Sequence, residues 1–386
     1  MVAAGFFRKC IPAPAGGENA GLIDMAIIAE EFYSVNASVT LTMLGTVLGL
    51  LPILLGGTPE QCGRLLGPFL KKSGAPLAGF CSSEPGGSAN AASPPPGEGV
   101  RTVAKLQNDR WIINGRKKWV SSATGWDRQG ADILCVVCRT DPGAPPEKAM
   151  SIIAVERPAS GIVFERAIDS VGHRAHLTPQ FGFENVSVPR HNLLGEEGAG
   201  LTLTAASFTG TAALVGIFGV ALMRAAFDFA LHFARTERRG GVHPIIEHQA
   251  VGYALADAKM MIESARYLSW RACHAVDTQS PAADELAIQA KIYGSETAIR
   301  VNAATKSLAI ECARDGVRVN AVSPGIIKTP MHPLEAHQVL SSLHPMGRMG
   351  EVSDIVDAGM YLDSAGFVTG EILHVDGGQA AGHHTI

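Results

Sequence analysis

The stretch Ala78 to Asn90, AGFCSSEPGGSAN, sets small hydroxyl side chains and exposed amides beside two adjacent glycines, Gly86 and Gly87. A loop of this kind can approach a flat polar ring or a pyrophosphate closely, because its hydroxyls and amides donate and glycine leaves the backbone bare. The same composition also makes an ordinary serine-rich turn. Two further stretches carry chemistry. In INGRKKWVSS, Trp119 can cover one face of a ring while Ser121 donates to its polar edge, although a tryptophan on a strand is also an ordinary core residue. In RRGGVHPIIEHQAV, Arg238 has the fork geometry that pairs with phosphate, although it also reads as a solvated charge at a helix end.

The elements that must position these residues are drawn from 386 residues, room for two or three domains and a large core. With 46% hydrophobic and 18% charged residues the chain is an apolar globular protein, not a disordered one. A net charge of −4, without a local Lys/Arg cluster, argues against a nucleic-acid partner. Seven scattered cysteines, an odd number, do not make a disulfide framework. Cys135 and Cys138 form a CxxC inside the apolar run DILCVVC, which reads as a buried strand, and no second ligand pair accompanies them, so no metal is expected. The opening MVAAGFFRKC lacks the layout of a secretory signal, and an intracellular location is the expectation. Val39 to Gly57 is long and apolar, but three threonines, two further glycines and Pro52 interrupt it, so a buried helix pair is expected there and no membrane partner.

Along the chain, residues 20 to 75 read as helices, with Thr58-Pro59-Glu60-Gln61 in the form of a capping box. From about 78 to 190 the pattern is of strands and turns. Trp111, Ile112 and Ile113 lead into Asn114-Gly115, a hairpin signal, and Ile133–Val137, Ser151–Val155 and Phe181–Val186 have strand length. From 200 to 303 the helical period returns, with Val251, Leu255, Ala258, Ile262, Ala265 and Leu268 in steps of three and four. In the last block, Val317–Val322 and Ile372–Val375 read as strands flanking helical segments that include Val352–Leu362, which suggests parallel pairing.

Taken together, the blocks at 78–90, 119 and 238–249 resemble the acyl-CoA dehydrogenase family over about residues 20 to 303. The resemblance implies an α+β fold: a short N-terminal helical domain (1–77), a β-barrel-like middle domain holding a flavin ring (78–195), an incomplete C-terminal helical domain (196–303), then a short α/β fragment (304–386). It implies FAD as cofactor, with contacts from Phe80, Ser82 and Ser83, from Trp119 and Ser121, and from Arg238 and Gln249, which in the family reach the flavin nucleotide of a neighbouring subunit. A homo-oligomer and a small-molecule substrate, with acyl-CoA as the family's usual one, follow. Two motifs depart from the pattern: the family's EPGAGSD is EPGGSAN here, and its Phe-Gly pair is Gly241-Val242. Dehydrogenation of a thioester needs a carboxylate base. At one of the family's positions for it stands Thr211, followed by Ala212, and Asp284, Glu285 and Glu296 read as solvated helix residues, so no base is assigned.

The last block resembles the C-terminal quarter of the short-chain dehydrogenases/reductases, through TKSLAIECARDGVRVNAVSPGIIKTPM and FVTGEILHVDGG. In that family Pro324, Gly325 and Thr329 would lie beside a nicotinamide. The Gly-rich loop of a dinucleotide fold is missing upstream, and the fourth residue after Tyr293 is Thr297 instead of the lysine of a Tyr-x-x-x-Lys pair. The reading is an FAD-dependent oxidoreductase of the acyl-CoA dehydrogenase type. The alternatives are a non-catalytic relative or a truncated or fused gene product, and an NAD(P)-dependent short-chain reductase.

Overall fold

The computed structural model describes residues 2–87, 90–93, 99–168, 170, 173, 175–238, 240–302, 318, 320–329, 334–369 and 371–378. They separate into two compact units, Met1–Ala225 with Lys259–Ser295, and Ala226–Ala258 with Glu296–Ile386.

The first unit opens with helices α1 (Phe6–Cys10), α2 (Leu22–Val35), α3 (Ala37–Gly56), α4 (Pro59–Leu65) and α5 (Gly67–Leu70). The capping box at α4 forms as expected: the Thr58 amide donates to Gln61 Oε1 at 2.7 Å and the Gln61 amide to Thr58 Oγ1 at 3.2 Å. The apolar run expected to be a helix pair is instead the single helix α3, with Pro52 inside it. Thr40 and Thr46 return their hydroxyls to the carbonyls of Asn36 and Thr42, both at 2.9 Å, so the polar interruptions are satisfied within the helix. Met43, Leu44, Val47, Leu50 and Ile53 are all buried in one core, and that burial carries the helix through the proline's missing N–H. By length and composition α3 and the helix Gly200–Thr236 could each cross a membrane.

Eight strands follow: β1 (Ala78–Cys81), β2 (Val103–Gln107), β3 (Arg110–Lys118), β4 (Ile133–Arg139), β5 (Met150–Glu156), β6 (Ile162–Ala167), β7 (Pro179–Pro189) and β8 (Leu193–Leu194). They form one sheet in the order β6-β7-β3-β2-β4-β5-β8, with β1 paired parallel to β4. β4 is buried throughout because it has cores on both faces: Ile133, Cys135 and Val137 pack with the helices, Leu134, Val136 and Cys138 with the other strands. The CxxC cysteines therefore point to opposite sides of the sheet. On the second face a single cluster gathers residues from β1 to β5 and β7, including Trp111, Ile113, Phe181 and Phe183. The expected hairpin at Asn114-Gly115 is not a turn. These residues run on inside β3, opposite a bulge in β7, where the Asn185 amide donates to Asn114 Oδ1 at 2.9 Å. The turn lies earlier, at Asn108 and Asp109, whose φ of 48° and 60° are those a two-residue hairpin requires.

Three long helices complete the α content before the final block: α6 (Gly200–Thr236), α7 (Gln249–Asp277) and α8 (Ala283–Asn302). In the first unit, Glu30 of α2 is buried between Arg266 (2.8 Å) and Arg224 (3.1 Å), an ion cluster that ties α2 to α6 and α7.

The second unit contains two strands among the described residues, β9 (Ala321–Pro324) and β10 (Ile372–Val375), paired in parallel as expected, with Ile372 opposite Ala321. The expected strand over 317–322 is seen from 321; Val317 and Val319 lie outside the described residues. Helices α9 (His337–Ser341) and α10 (Val352–Ser364) lie between the strands in sequence. Arg318 donates to the carbonyls of Leu362 (2.5 Å), Asp363 (2.5 Å) and Ala365 (3.1 Å), a cation on the C-terminal end of α10. A cavity of about 380 Å³ among Arg348, Asp354, His374 and Gly377 lies in this unit.

Candidate functional site

The serine loop and the tryptophan loop meet at one end of the sheet because β1 and β3 deliver them there. β1 pairs with β4 up to Cys81 opposite Val136, and the chain then leaves the sheet at Ser82. β3 ends at Lys118, whose amide donates to the Ser83 carbonyl at 2.9 Å, so the two loops are joined directly by backbone.

A buried ion pair fixes the junction. Lys117 is fully buried and Glu84 nearly so, with Nζ 2.8 Å from Glu84 Oε1. The same ammonium donates to the carbonyls of Val137 (2.8 Å) and Ser82 (3.3 Å), which uses its three protons. Glu84 also accepts from the amides of Arg101 (2.7 Å) and Thr102 (3.0 Å) and from Thr102 Oγ1 (2.6 Å). Burial pushes the Glu84 carboxyl up, but the charge and hydrogen bonds of Lys117, with those of Thr102 and the Arg101 amide, bring it below its ordinary value. Sequence reasoning missed this pair, although counting in twos along β3 from Trp111 and Ile113 brings Lys117 to the inner face.

Of the residues singled out in the sequence, Phe80 lies on β1, buried, with its ring 5.4 Å from that of Phe208 on α6. Ser82 is buried, and Ser83 and Ser121 are half-buried. Among the described residues none of these three hydroxyls has a hydrogen-bond partner in the protein. Trp119 is held at φ 62°, in the left-handed region, and its amide donates to the Pro179 carbonyl at 3.1 Å. Its indole is 50% exposed, with Lys118 Nζ 4.1 Å above the ring on one side. It is not the core aromatic that the alternative reading allowed. Ser88 lies outside the described residues.

α3 lies against this end of the sheet through two glycines. A Cβ on Gly45 would come within 2.7 Å of Ser121 Cβ, and one on Gly49 within 2.6 Å of the Ala78 and Gly79 backbone. Only bare backbone permits so close an approach. One turn earlier on α3, Thr42 Oγ1 is 2.8 Å from His176 Nδ1. His173, three residues before it, is hydrogen-bonded through Nε2 to the Tyr33 hydroxyl, and the Tyr33 ring stacks on Phe218 at 4.5 Å. Burial pushes the Tyr33 hydroxyl up to about 12 and holds His173 below the usual histidine value. Burial, with the charge of His173 behind it, brings His176 down to about 4. Neither histidine was singled out in the sequence; two of them in the four residues His173–His176 was the available signal.

Arg238 and Gln249 belong to the second unit. Arg238 follows α6 and is exposed; Gln249 opens α7, exposed, and its amide donates to the Tyr253 hydroxyl at 2.5 Å. Thr211 on α6 shares its hydroxyl between the carbonyls of Ser207 (3.2 Å) and Phe208 (3.1 Å). Asp284 accepts from Thr209 Oγ1 at 2.7 Å, and Glu285 accepts from Gln289 at 2.8 Å.

A half-exposed indole and, among the described residues, three unengaged hydroxyls and a buried imidazole nitrogen without a partner (His176 Nε2) are donor and acceptor chemistry suited to a flat ring with a polar edge. Comparison with known proteins shows the family. The family models described as the N-terminal and middle domains of acyl-CoA dehydrogenase match residues 1–73 and 79–186, and a third, described as enoyl-(acyl carrier protein) reductase, matches residues 239–380. The nitroalkane oxidase of Podospora anserina is 42% identical over 314 residues, covering 78% of this chain and 72% of that protein. Its solved structure superposes with a TM-score of 0.74 at 40% identity, over 78% of this chain and 73% of that one. The short-chain specific acyl-CoA dehydrogenase of Homo sapiens is 31% identical over 305 residues, covering 78% of this chain and 70% of that protein. The chain belongs to the acyl-CoA dehydrogenase family of FAD-dependent oxidoreductases.

Proposed function

We propose that the chain oxidises a small nitroalkane with FAD, using dioxygen as the final acceptor. The observation that carries this reading is the 42% identity with the nitroalkane oxidase of Podospora anserina. A thioester α-proton demands a carboxylate base, and the family position considered for one holds a hydroxyl already committed to carbonyls of its own helix. A nitro group makes the neighbouring C–H far more acidic than a thioester does, and the identity with nitroalkane oxidase supports the same substrate class; no residue of this chain is assigned as the base that takes the proton.

In this reading Trp119 covers one face of the flavin, and Phe80, Ser82, Ser83 and Ser121 line its ring and polar edge. Arg238 and Gln249 hold the nucleotide end of a neighbouring subunit's cofactor, in a homo-oligomer. FAD, when bound, accepts the electron pair released from the substrate carbon. Phe80 is buried beside the loop, and Lys117 with Glu84 holds the serine loop in place before ligand arrives.

The test is anaerobic mixing of the FAD-loaded full chain with nitroethane, with ethyl nitronate (its preformed anion) and with butyryl-CoA, watching the visible flavin band. Bleaching by the two nitro compounds, faster with the anion, and none by butyryl-CoA is expected. Bleaching by butyryl-CoA alone would replace this reading with thioester dehydrogenation. Bound flavin that none of the three bleaches would favour a non-catalytic relative, the second reading that Thr211 supports.

A further inference from the structure

His176 is placed by two connections. Its segment, between β6 and β7, is stitched to the tryptophan loop: the Trp119 amide donates to the Pro179 carbonyl at 3.1 Å and the Ser122 amide to the Leu177 carbonyl at 3.0 Å. Its imidazole meets α3 at Thr42, and Gly45, three residues on and on the same helix face, is the residue that abuts Ser121. The His176 ring and the Ser121 side chain thus lie along one face of α3.

The hydrogen bonds fix the tautomer. The Thr42 hydroxyl has one proton, and it is donated to the Ser38 carbonyl at 3.0 Å. The hydroxyl oxygen must then accept from His176, so the imidazole proton is on Nδ1. Burial holds the ring neutral at pH 7. A neutral imidazole protonated on Nδ1 carries a bare lone pair on Nε2. His176 is 5% exposed, and that Nε2 has no partner among the described residues. A buried acceptor left unmet costs free energy, and native proteins pair nearly all of them.

We propose that His176 is a flavin-binding residue whose bare Nε2 accepts a hydrogen bond from an N–H or O–H group of the cofactor. The complement of a buried acceptor is a donor. The flavin brings donors, a ring N–H and the ribityl hydroxyls, whereas a nitroalkane brings none. The inference rests on the family's cofactor and is independent of which substrate is oxidised.

The test is titration of the flavin-free full chain with FAD, followed by the visible band and by protein fluorescence, for wild type, His176→Phe and His176→Gln. Melting temperatures of the flavin-free forms are taken in parallel. His176→Phe is expected to weaken FAD binding by about tenfold or more, with a melting temperature no lower than wild type, because the unmet acceptor is gone. His176→Gln, whose side-chain oxygen can stand in for Nε2, is expected to stay within about threefold of wild type. Thr42→Val keeps the imidazole but frees its tautomer, and a weakening of a few-fold is expected even if His176→Phe fails to fold. Unchanged FAD affinity and an unchanged flavin band in His176→Phe and Thr42→Val would overturn the proposal, as would a lowered melting temperature with unchanged affinity. Wild type that binds no FAD would overturn the cofactor assignment itself, a result read before any variant is made.

Discussion

At the scale of single residues, Lys117 governs the shape of the candidate site although it cannot touch anything outside the protein. With Lys117→Met, Glu84 keeps two amides and a hydroxyl but loses the cation it pairs with in a nearly dry setting. Removing one partner of a buried pair costs about 3–5 kcal/mol. We expect a loss of that size in urea unfolding at pH 7, most of it recovered when Glu84→Gln is added; a loss within error would mean that the pair does not hold the loop. Trp119 could be singled out in the sequence because an aromatic beside hydroxyls is a chemical signature. Lys117 was not, because in Arg116-Lys117-Lys118 three cations read as one solvated run, and only the pleat decides which of them turns inward. The two histidines were illegible for a different reason: their roles depend on hydroxyls of Tyr33 and Thr42, more than a hundred residues away.

At the scale of elements, α3 sets the spacing between helices and sheet. Gly49→Ala would put a methyl group into the Ala78–Gly79 backbone, where nothing flexible can yield. Overpacking of this kind costs about 1–3 kcal/mol. The expected outcome is a lower melting temperature together with weaker FAD binding, since the displaced strand, β1, leads into Ser82. Full FAD affinity in a destabilised variant would show that α3 supports the sheet without setting the loop. Elements whose signals are local were legible: the capping box at Thr58, the apolar run of β4 and the helical period of α7 all stand where the sequence put them. The failures came where two local signals competed. Asn114-Gly115 is a strong turn pair, yet Asn108 and Asp109 made the turn, because β3 continues past Gly115 to pair with β7 through Lys118 and Gln180. Pro52 suggested a break in α3 that continuous burial overrode.

At the scale of the whole molecule, the chain matches acyl-CoA dehydrogenase models over residues 1–73 and 79–186 and a reductase model over residues 239–380. For a nicotinamide cofactor the Gly-rich loop motif is missing from the sequence ahead of β9. Titration with NADH and NADPH is therefore expected to leave the protein fluorescence unchanged, while FAD quenches it. Saturable quenching by either nicotinamide would show that the second unit has a working cofactor site. The division into two units could not be read from sequence, because α6, α7 and α8 pass from one unit to the other without a break.

The Lys118 ammonium over the Trp119 ring has a stereochemical consequence. With Lys118 Nζ 4.1 Å above one side of the half-exposed indole, a planar guest that stacks on Trp119 would meet the opposite side. Its two sides then become inequivalent, one pressed to the indole and one left for the reacting partner. A loop fixed by backbone hydrogen bonds thereby imposes handedness on a ring that has none of its own.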